Sequence, residues 1–328
     1  MKSKYSYSKN TRQTKKNVPP KPLPLNAPTQ AKASGLAYSF SVMLLLAMSL
    51  VVSVVLAMAG LNTEAHREKD WYRYINAILP QFCLFFIAVL YFSWLNRPVR
   101  QAIKEQKCHP KYFLLAVLLQ IGLLSLGELN NLFLTFLKRF GYQDSPITVP
   151  SLDGFGFIGV LFCVALLPAI FEEVFFRGIL LKGLRVFGTT GAVLLCGGLF
   201  ALYHQNPVQT VYQFVCGAAF AYMVIKAGSI FPTMLAHFIN NALIIVLTKC
   251  GVESFPTSVY IPYLIITSLC LIGSLCYLFF CDKTDGNTGG KEMPIAEKNA
   301  ERKRFFVCVL VGITVFVVNW FSALLAGF

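Results

Sequence analysis

The chain has 328 residues, of which 56% are hydrophobic and 13% charged, and its formal net charge is +14. Soluble domains carry about 25% charged residues, so this composition excludes an ordinary soluble protein and indicates one that crosses a membrane several times. The ten cysteines fall mostly inside apolar stretches and form no C-x-x-C pair, which argues against a structural zinc site or a thiol redox motif.

The first 34 residues form a basic segment that holds eight Lys and Arg, five Pro and no acidic residue. We interpret residues 1–34 as a disordered cytoplasmic tail that follows the positive-inside rule and can lie on anionic membrane lipids. Nucleic-acid binding is the other interpretation of such a tail. In a membrane protein, the retention of positive charge on the cytoplasmic side explains a basic tail, so we expect no nucleic-acid partner.

Nine hydrophobic segments follow, most of them long enough to cross about 30 Å of lipid as a helix. They lie at residues 35–60, 74–95, 112–137, 155–181, 189–206, 208–226, 231–248, 259–281 and 305–327. Lys and Arg are concentrated in connections 96–111 and 282–304, which share a side with the tail if the N-terminus is cytoplasmic. The predicted fold is all-α, a polytopic membrane helix bundle of about 8–9 transmembrane helices.

Glu172 and Glu173 lie within the fourth hydrophobic segment, where Arg177 is the other charged residue. A charged side chain at membrane depth costs at least roughly 2.5 kcal/mol, so an adjacent pair indicates a use. Arg177 lies four residues after Glu173, in position for an ion pair on one helix face, which leaves Glu172 as the unpaired carboxylate.

Two further polar pairs have the same four-residue spacing, Phe200 with His204 and His237 with Asn241. Glu172 lies sixteen residues before Gly188 and His204 sixteen after it, so a hairpin at this glycine would place both about 24 Å from the turn. His237 and Asn241 follow a second predicted turn, at residues 227–229, by about 14–20 Å of helix. The three helices therefore present these side chains at similar depth.

This set of residue types is sufficient for hydrolysis of an amide by water. A desolvated carboxylate can act as a general base, and an imidazole can hold the water or pass a proton to the leaving amine. A second His with an Asn supplies hydrogen-bond donors for an oxyanion. Each pair alone is also compatible with interhelical hydrogen bonds that only hold the bundle together.

The motifs Glu172-Glu173-x-x-x-Arg177, Phe200-x-x-x-His204 and His237-x-x-x-Asn241 resemble those of the CPBP family of intramembrane endopeptidases. That family includes the CAAX prenyl proteases and bacteriocin-processing or immunity membrane proteins. The resemblance covers residues 112–250. It implies that Glu172 and His204 activate water, that His237 and Asn241 form the oxyanion hole, that Glu173 and Arg177 support the site, and that Phe200 packs against it.

The chain is accordingly divided into five parts. We predict the tail (1–34), two transmembrane helices with a basic loop (35–111), a CPBP-type catalytic bundle (112–281), a charged cytoplasmic linker (282–304) and a C-terminal transmembrane helix (305–328), interpreted as an accessory. Glu128, Asn130 and Asn131 form another polar cluster, for which we expect a structural role. The expected location is a bacterial cell membrane, with the N-terminus in the cytoplasm.

The function predicted from the sequence is an intramembrane endopeptidase that acts on a peptide or membrane-anchored protein substrate. The alternative is a bacteriocin-immunity or binding protein of the same fold, and a transporter is disfavoured because no internal repeat is present. Metal dependence is open. Glu172, His204 and His237 are three possible zinc ligands, as a metalloprotease-like site would need. The H-E-x-x-H signature is absent, and we favour a site without a cofactor.

Overall fold

A computed structural model describes residues 29–94, 99–103, 107–144, 148–252, 255–284 and 293–328. These residues form helices, with no strand among them, and they include eight helices that are long and apolar enough to cross a membrane. The longest, residues 155–203, turns back on itself at Gly188 and so contains two limbs. The all-α membrane bundle is confirmed. Residues 1–28 of the predicted tail lie outside the described residues.

The α-helices are α1 (Gln30–Met58), α2 (Glu64–Arg67), α3 (Asp70–Trp94), α4 (Val99–Ile103), α5 (Lys111–Leu123), α6 (Gly127–Lys138), α7 (Phe155–Val160), α8 (Leu167–Glu172), α9 (Leu181–Leu184), α10 (Gly188–Tyr203), α11 (Thr210–Ala227), α12 (Phe231–Lys249), α13 (Thr257–Cys276) and α14 (Ile295–Leu325). Short 3₁₀ segments (Leu124–Leu126 and Arg185–Phe187) and π segments (Leu161–Leu166, Glu173–Leu180 and Tyr277–Cys281) extend or join them.

Two helices begin earlier in the chain than the hydrophobic pattern indicated. α1 begins at Gln30 instead of near residue 35, because the hydroxyl of Thr29 accepts a hydrogen bond from the backbone N–H of Lys32 and caps the helix. α14 begins at Ile295, so the second half of the predicted linker 282–304 is helical. Its charged first turns dock on the bundle, where Arg302 donates to the carbonyl of Val186 over a distance of 3.0 Å.

The C-terminal helix α14 is part of the core and is not an accessory. Its Phe316 is 1% exposed and packs edge-on against Tyr38 of α1 and Tyr203 of α10. α1 and α14 approach closely because Gly312 faces Tyr38 and Ser39, where a methyl group would have no room. Ser39 strengthens this contact, since its hydroxyl donates to the carbonyl of Cys308.

The hairpin predicted at Gly188 has the expected register. Gly188 has φ of 78°, a conformation that costs glycine little and other residues much. Phe176 lies twelve residues before this turn and Phe200 twelve after it, and their ring centroids are 5.0 Å apart. The hairpin therefore lays α10 alongside residues 155–184, with the segment around Glu172 level with the end of α10.

Candidate active site

One cavity of about 110 Å³ lies where the helices that carry the three motifs meet α5. It is lined by Gln120, Pro168, Glu172, Phe200, His204, Tyr212, Gln213, Cys216, Phe220, His237, Asn240 and Asn241. The four residues predicted to be catalytic thus share one cavity wall. A volume of this size holds a few water molecules and leaves most of a peptide outside.

Glu172 is the last residue of α8 and its side chain is buried. Gln81 of α3 donates a hydrogen bond from Nε2 to Glu172 Oε1 over 2.9 Å, which fixes the carboxylate. The other oxygen, Oε2, is buried and makes no hydrogen bond to the described residues. The sequence motifs did not identify Gln81. The available signal was an amide that directly follows Pro80 inside an apolar helix.

Glu173 forms the ion pair with Arg177 that the spacing predicted. Glu173 Oε1 is 2.9 Å from Arg177 Nη1, and both side chains are inaccessible to solvent. The guanidinium also donates from Nη2 to the carbonyl of Gly217 in α11 and lies 4.4 Å from the ring centre of Phe200. A buried ion pair needs further polar contacts to offset its loss of solvation, and these contacts surround the Arg177 charge on several sides.

His237 of α12 lies between the two carboxylates. Its Nδ1 is 3.1 Å from Glu173 Oε1, and its Nε2 is 3.8 Å from Glu172 Oε2. Because Glu173 is paired with Arg177 as a carboxylate, it can only accept, so the hydrogen of this bond belongs to His237 Nδ1. In neutral His237, Nε2 is then an acceptor near the open oxygen of Glu172. The motif spacing did not predict the contact between His237 and Glu173.

His204 is the residue that ends α10, and its Nδ1 is 2.9 Å from the carbonyl oxygen of Phe200. A carbonyl oxygen only accepts, so Nδ1 carries the hydrogen and neutral His204 has its lone pair on Nε2. The ring packs edge-on against Phe200, with ring centroids 4.6 Å apart. Phe200 therefore positions His204 through both its backbone and its ring.

Asn241 lies one turn after His237 and donates from Nδ2 to the carbonyl of Val164 over 3.1 Å. Val164 belongs to the π segment Leu161–Leu166, a widened turn of a kind often found at functional sites. The predicted oxyanion donor therefore has one N–H committed to the backbone. Its Nδ2 carries a second hydrogen.

A second polar wall of the cavity comes from residues outside the motifs. Gln120 of α5 donates from Nε2 to Asn240 Oδ1 over 2.7 Å, and the Tyr212 hydroxyl of α11 donates to the same oxygen over 3.0 Å. Asn240 in turn donates to Asn241 Oδ1 over 3.0 Å. Asn240 lies three residues after His237 and so shares its helix face, but the four-residue spacing of the motif identified Asn241 instead.

The polar cluster on α6 lies outside the cavity wall. The side-chain oxygen of Asn130 accepts from the backbone N–H of Tyr212, in the first turn of α11, where helix donors have no partner in their own helix. Asn131 donates to Glu128 over 3.3 Å. These contacts are those of a structural cluster.

Within the part of the chain that the structure describes, no group of three His, Cys, Asp or Glu side chains is placed to hold a metal ion. Gln81 and Glu173 hold the side chains of Glu172 and His237, two of the three possible zinc ligands, in hydrogen bonds to protein groups.

The all-α membrane bundle brings a buried carboxylate and two imidazoles together around one cavity. Residues 154–243 match the sequence model of the family described as Type II CAAX prenyl endopeptidase Rce1-like. The matched segment contains all three motifs, and the family that it resembles consists of proteases, which hydrolyse peptide bonds. The family predicted from the motifs is thereby confirmed for this segment. No curated protein and no solved structure matches the chain.

Proposed function

We propose that the protein cleaves a peptide or membrane-anchored protein substrate inside the membrane, with water activated by Glu172. One observation carries the proposal. Gln81 holds one oxygen of the Glu172 carboxylate, while the other is buried in the wall of a polar cavity, 3.8 Å from His237 Nε2. A carboxylate fixed on one side and open on the other is a preorganised general base.

The reaction would proceed through four side chains. Glu172 takes a proton from water, and the resulting hydroxide attacks the carbonyl carbon of the scissile bond. Asn241 donates an N–H to the oxyanion, and His237 is a second donor in its imidazolium form, in which Nε2 carries a proton before the water is deprotonated and keeps it throughout. The leaving nitrogen receives the proton held by Glu172, directly or through His204 Nε2, and the carbon–nitrogen bond breaks.

The test is Glu172→Gln, which keeps the shape of the side chain and removes its basicity. In liposomes, with a farnesylated peptide ending in a CAAX sequence and its unprenylated counterpart as probes, we expect cleavage to fall by about 10²–10⁴-fold. Glu128→Gln is the matched control, because Glu128 does not line the cavity, and it should cleave at the wild-type rate. Near-normal turnover by Glu172→Gln would exclude the assigned role. Binding without cleavage by the wild type would instead favour the immunity or binding function.

We also propose that the reaction needs no metal. Exhaustive chelation of the purified wild-type protein should leave cleavage of the same probes largely unchanged, because the proton acceptor is a protein carboxylate. Tightly bound zinc, present in stoichiometric amount and lost together with activity, would show that a metal supplies the activated water.

The membrane orientation belongs to the same proposal. The concentration of Lys and Arg before α1, between α3 and α5 and between α13 and α14 supports an orientation with the N-terminus in the cytoplasm. Reporter fusions to these connections should report the cytoplasmic side, and a reporter active outside the cell at the N-terminus would reverse the assignment.

A further inference from the structure

Three amide side chains form a chain of hydrogen bonds across the cavity wall. Gln120 donates to Asn240, Asn240 donates to Asn241, and Asn241 donates to the carbonyl of Val164. The chain joins α5 to α12 and α12 to the π segment Leu161–Leu166.

The end of this chain fixes the orientation of every amide in it. A backbone carbonyl can only accept, so Asn241 must present its Nδ2 to Val164 and its oxygen to Asn240. Asn240 then presents its nitrogen to Asn241 and its oxygen to Gln120 and Tyr212. Gln120 consequently presents its nitrogen to Asn240. Its oxygen occupies the opposite branch of the amide and cannot exchange places with the nitrogen without breaking the chain.

The oxygen of Gln120 is left without a hydrogen-bond donor, in a residue that lines the active-site cavity. Gln120 lines the cavity and is 1% exposed, and its Oε1 makes no hydrogen bond to the described residues. A buried acceptor without a donor is costly, so a ligand that brings an N–H to it gains a full hydrogen bond. Gln81 Oε1 is also buried and open, but Gln81 does not line the cavity.

We propose that Gln120 Oε1 accepts a hydrogen bond from a backbone N–H of the bound peptide and thereby sets the position of the scissile bond. This inference rests on the proposed function, because it takes the ligand of the cavity to be a peptide. A neutral amide oxygen suits a neutral peptide N–H, and the group is held rigidly by the chain that also holds Asn241. Gln120 is a positioning residue and takes no part in the bond-making steps.

The experiment couples one substrate atom to one side chain. The probe is the farnesylated CAAX-type peptide and a set of analogues in which each backbone N–H near the scissile bond is replaced in turn by an ester oxygen. Binding of every analogue is measured on the cleavage-deficient Glu172→Gln protein, with and without Gln120→Leu. In the protein that retains Gln120, we expect one analogue to bind about tenfold more weakly than the parent peptide. In the Gln120→Leu protein, the same analogue should bind within about twofold of the parent peptide.

Gln213→Leu is the matched control, since Gln213 lines the same cavity from α11 and lies outside the amide chain. It should leave the tenfold ester effect intact. A merely structural role of Gln120 would weaken all analogues alike, and that result would overturn the inference. If Gln120→Leu does not fold, Gln120→Met is used in its place, because methionine keeps the length of the side chain.

Failure of this inference is distinguishable from failure of the proposed function. Cleavage of the parent peptide by wild type, with ester effects that are the same whether residue 120 is Gln or Leu, would overturn the role of Gln120 alone. A Gln120-dependent ester effect on binding, with no cleavage by any form of the protein, would support the positioning role of Gln120 and overturn the proposed peptidase activity.

Discussion

At the scale of single residues, the two adjacent glutamates have different environments although they share a sequence motif. Glu173 Oε1 contacts both Arg177 Nη1 and His237 Nδ1 and is inaccessible to solvent. Glu172 has one fixed oxygen and one in the cavity wall. The difference arises because neighbouring residues on a helix point in directions about 100° apart, so one faces Arg177 and the other faces the cavity.

We predict that Glu173→Gln destabilises the protein by about 3–5 kcal/mol, because it leaves the Arg177 guanidinium buried without its counter-charge. The measurement is thermal unfolding in detergent. The substitution Glu172→Gln should lower Tm less, since Glu172 has no buried ion pair with an arginine. Equal Tm values for wild type and Glu173→Gln would contradict the prediction. Removing both charges with Glu173→Gln and Arg177→Met should recover part of the loss.

The sequence predicted the part of the site that lies on regular helix faces. The pairs four residues apart, together with their distances from the turns at Gly188 and at residues 227–229, predicted that Glu172, His204, His237 and Asn241 lie together. The structure places all four in the wall of one cavity. Gln81 and Gln120 could not be predicted, because neither belongs to a polar pair four residues apart, and the direction of each side chain depends on how its helix packs. Spacing within one helix contains no information about packing between helices.

At the scale of elements, the contact between α10 and α11 depends on two facing glycines. The Cα of Gly197 would lie 2.9 Å from a methyl group placed on Gly217, which leaves no room for a side chain on either. Small residues at such positions allow membrane helices to approach closely. Gly217 also supplies the carbonyl that accepts from Arg177, so the helix contact and the buried ion pair depend on each other.

We predict that Gly197→Ala and Gly198→Ala, although adjacent, have opposite outcomes. A methyl group at Gly197 would lie 2.7 Å from the carbonyl oxygen of Phe214, whereas one at Gly198 meets nothing within 4 Å. Gly197→Ala should therefore cost about 1–3 kcal/mol and lower the cleavage rate, as overpacking does. Gly198→Ala should raise stability by about 0.5–1 kcal/mol, because alanine loses less conformational freedom than glycine in a helix, and should leave the cleavage rate unchanged. Thermal unfolding and cleavage of the farnesylated probe measure the two effects, and equal behaviour of the pair would refute the close approach.

Most of the helices were predictable from hydrophobic length, whereas their ends and irregular turns were not. α14 begins in a charged segment that a hydrophobic pattern cannot identify, and its burial depends on contacts such as that of Arg302 with Val186. The π segments on either side of α8 likewise lack a sequence signal. They depend on how the turn packs against other helices.

At the scale of the whole molecule, Asp282 follows the π segment Tyr277–Cys281 at the end of α13 and connects it to two other helices. Its carboxylate accepts from Lys111 over 3.2 Å and from the Tyr112 hydroxyl over 2.7 Å, both in α5. Lys226 of α11 donates to its backbone carbonyl. Burial alone would raise the pKa of Asp282, but the hydrogen bonds from Thr284, Tyr112 and Lys111 outweigh it and lower the pKa to about 2.

We predict that Asp282 makes the stability of the protein depend on pH in the acid range. A carboxylate whose pKa is lowered in the folded state stabilises that state fully above its ordinary pKa of 3.8. This contribution is lost as the pH falls towards 2. Tm in detergent should therefore fall over this interval in wild type and fall less steeply in Asp282→Asn. Parallel Tm curves for the two proteins would rule out the contribution.

The place of α14 in the core has a consequence for how the protein matures in the cell. Asn319 donates to Gln205 over 2.8 Å and Trp320 to Thr210 over 2.7 Å, so α14 holds the loop that follows His204. The ribosome makes α14 after every helix that lines the cavity. We expect the growing chain to remain without peptidase activity until this helix has inserted, which would protect the membrane proteins around it. A chain stopped after residue 284 should enter the membrane and cleave nothing.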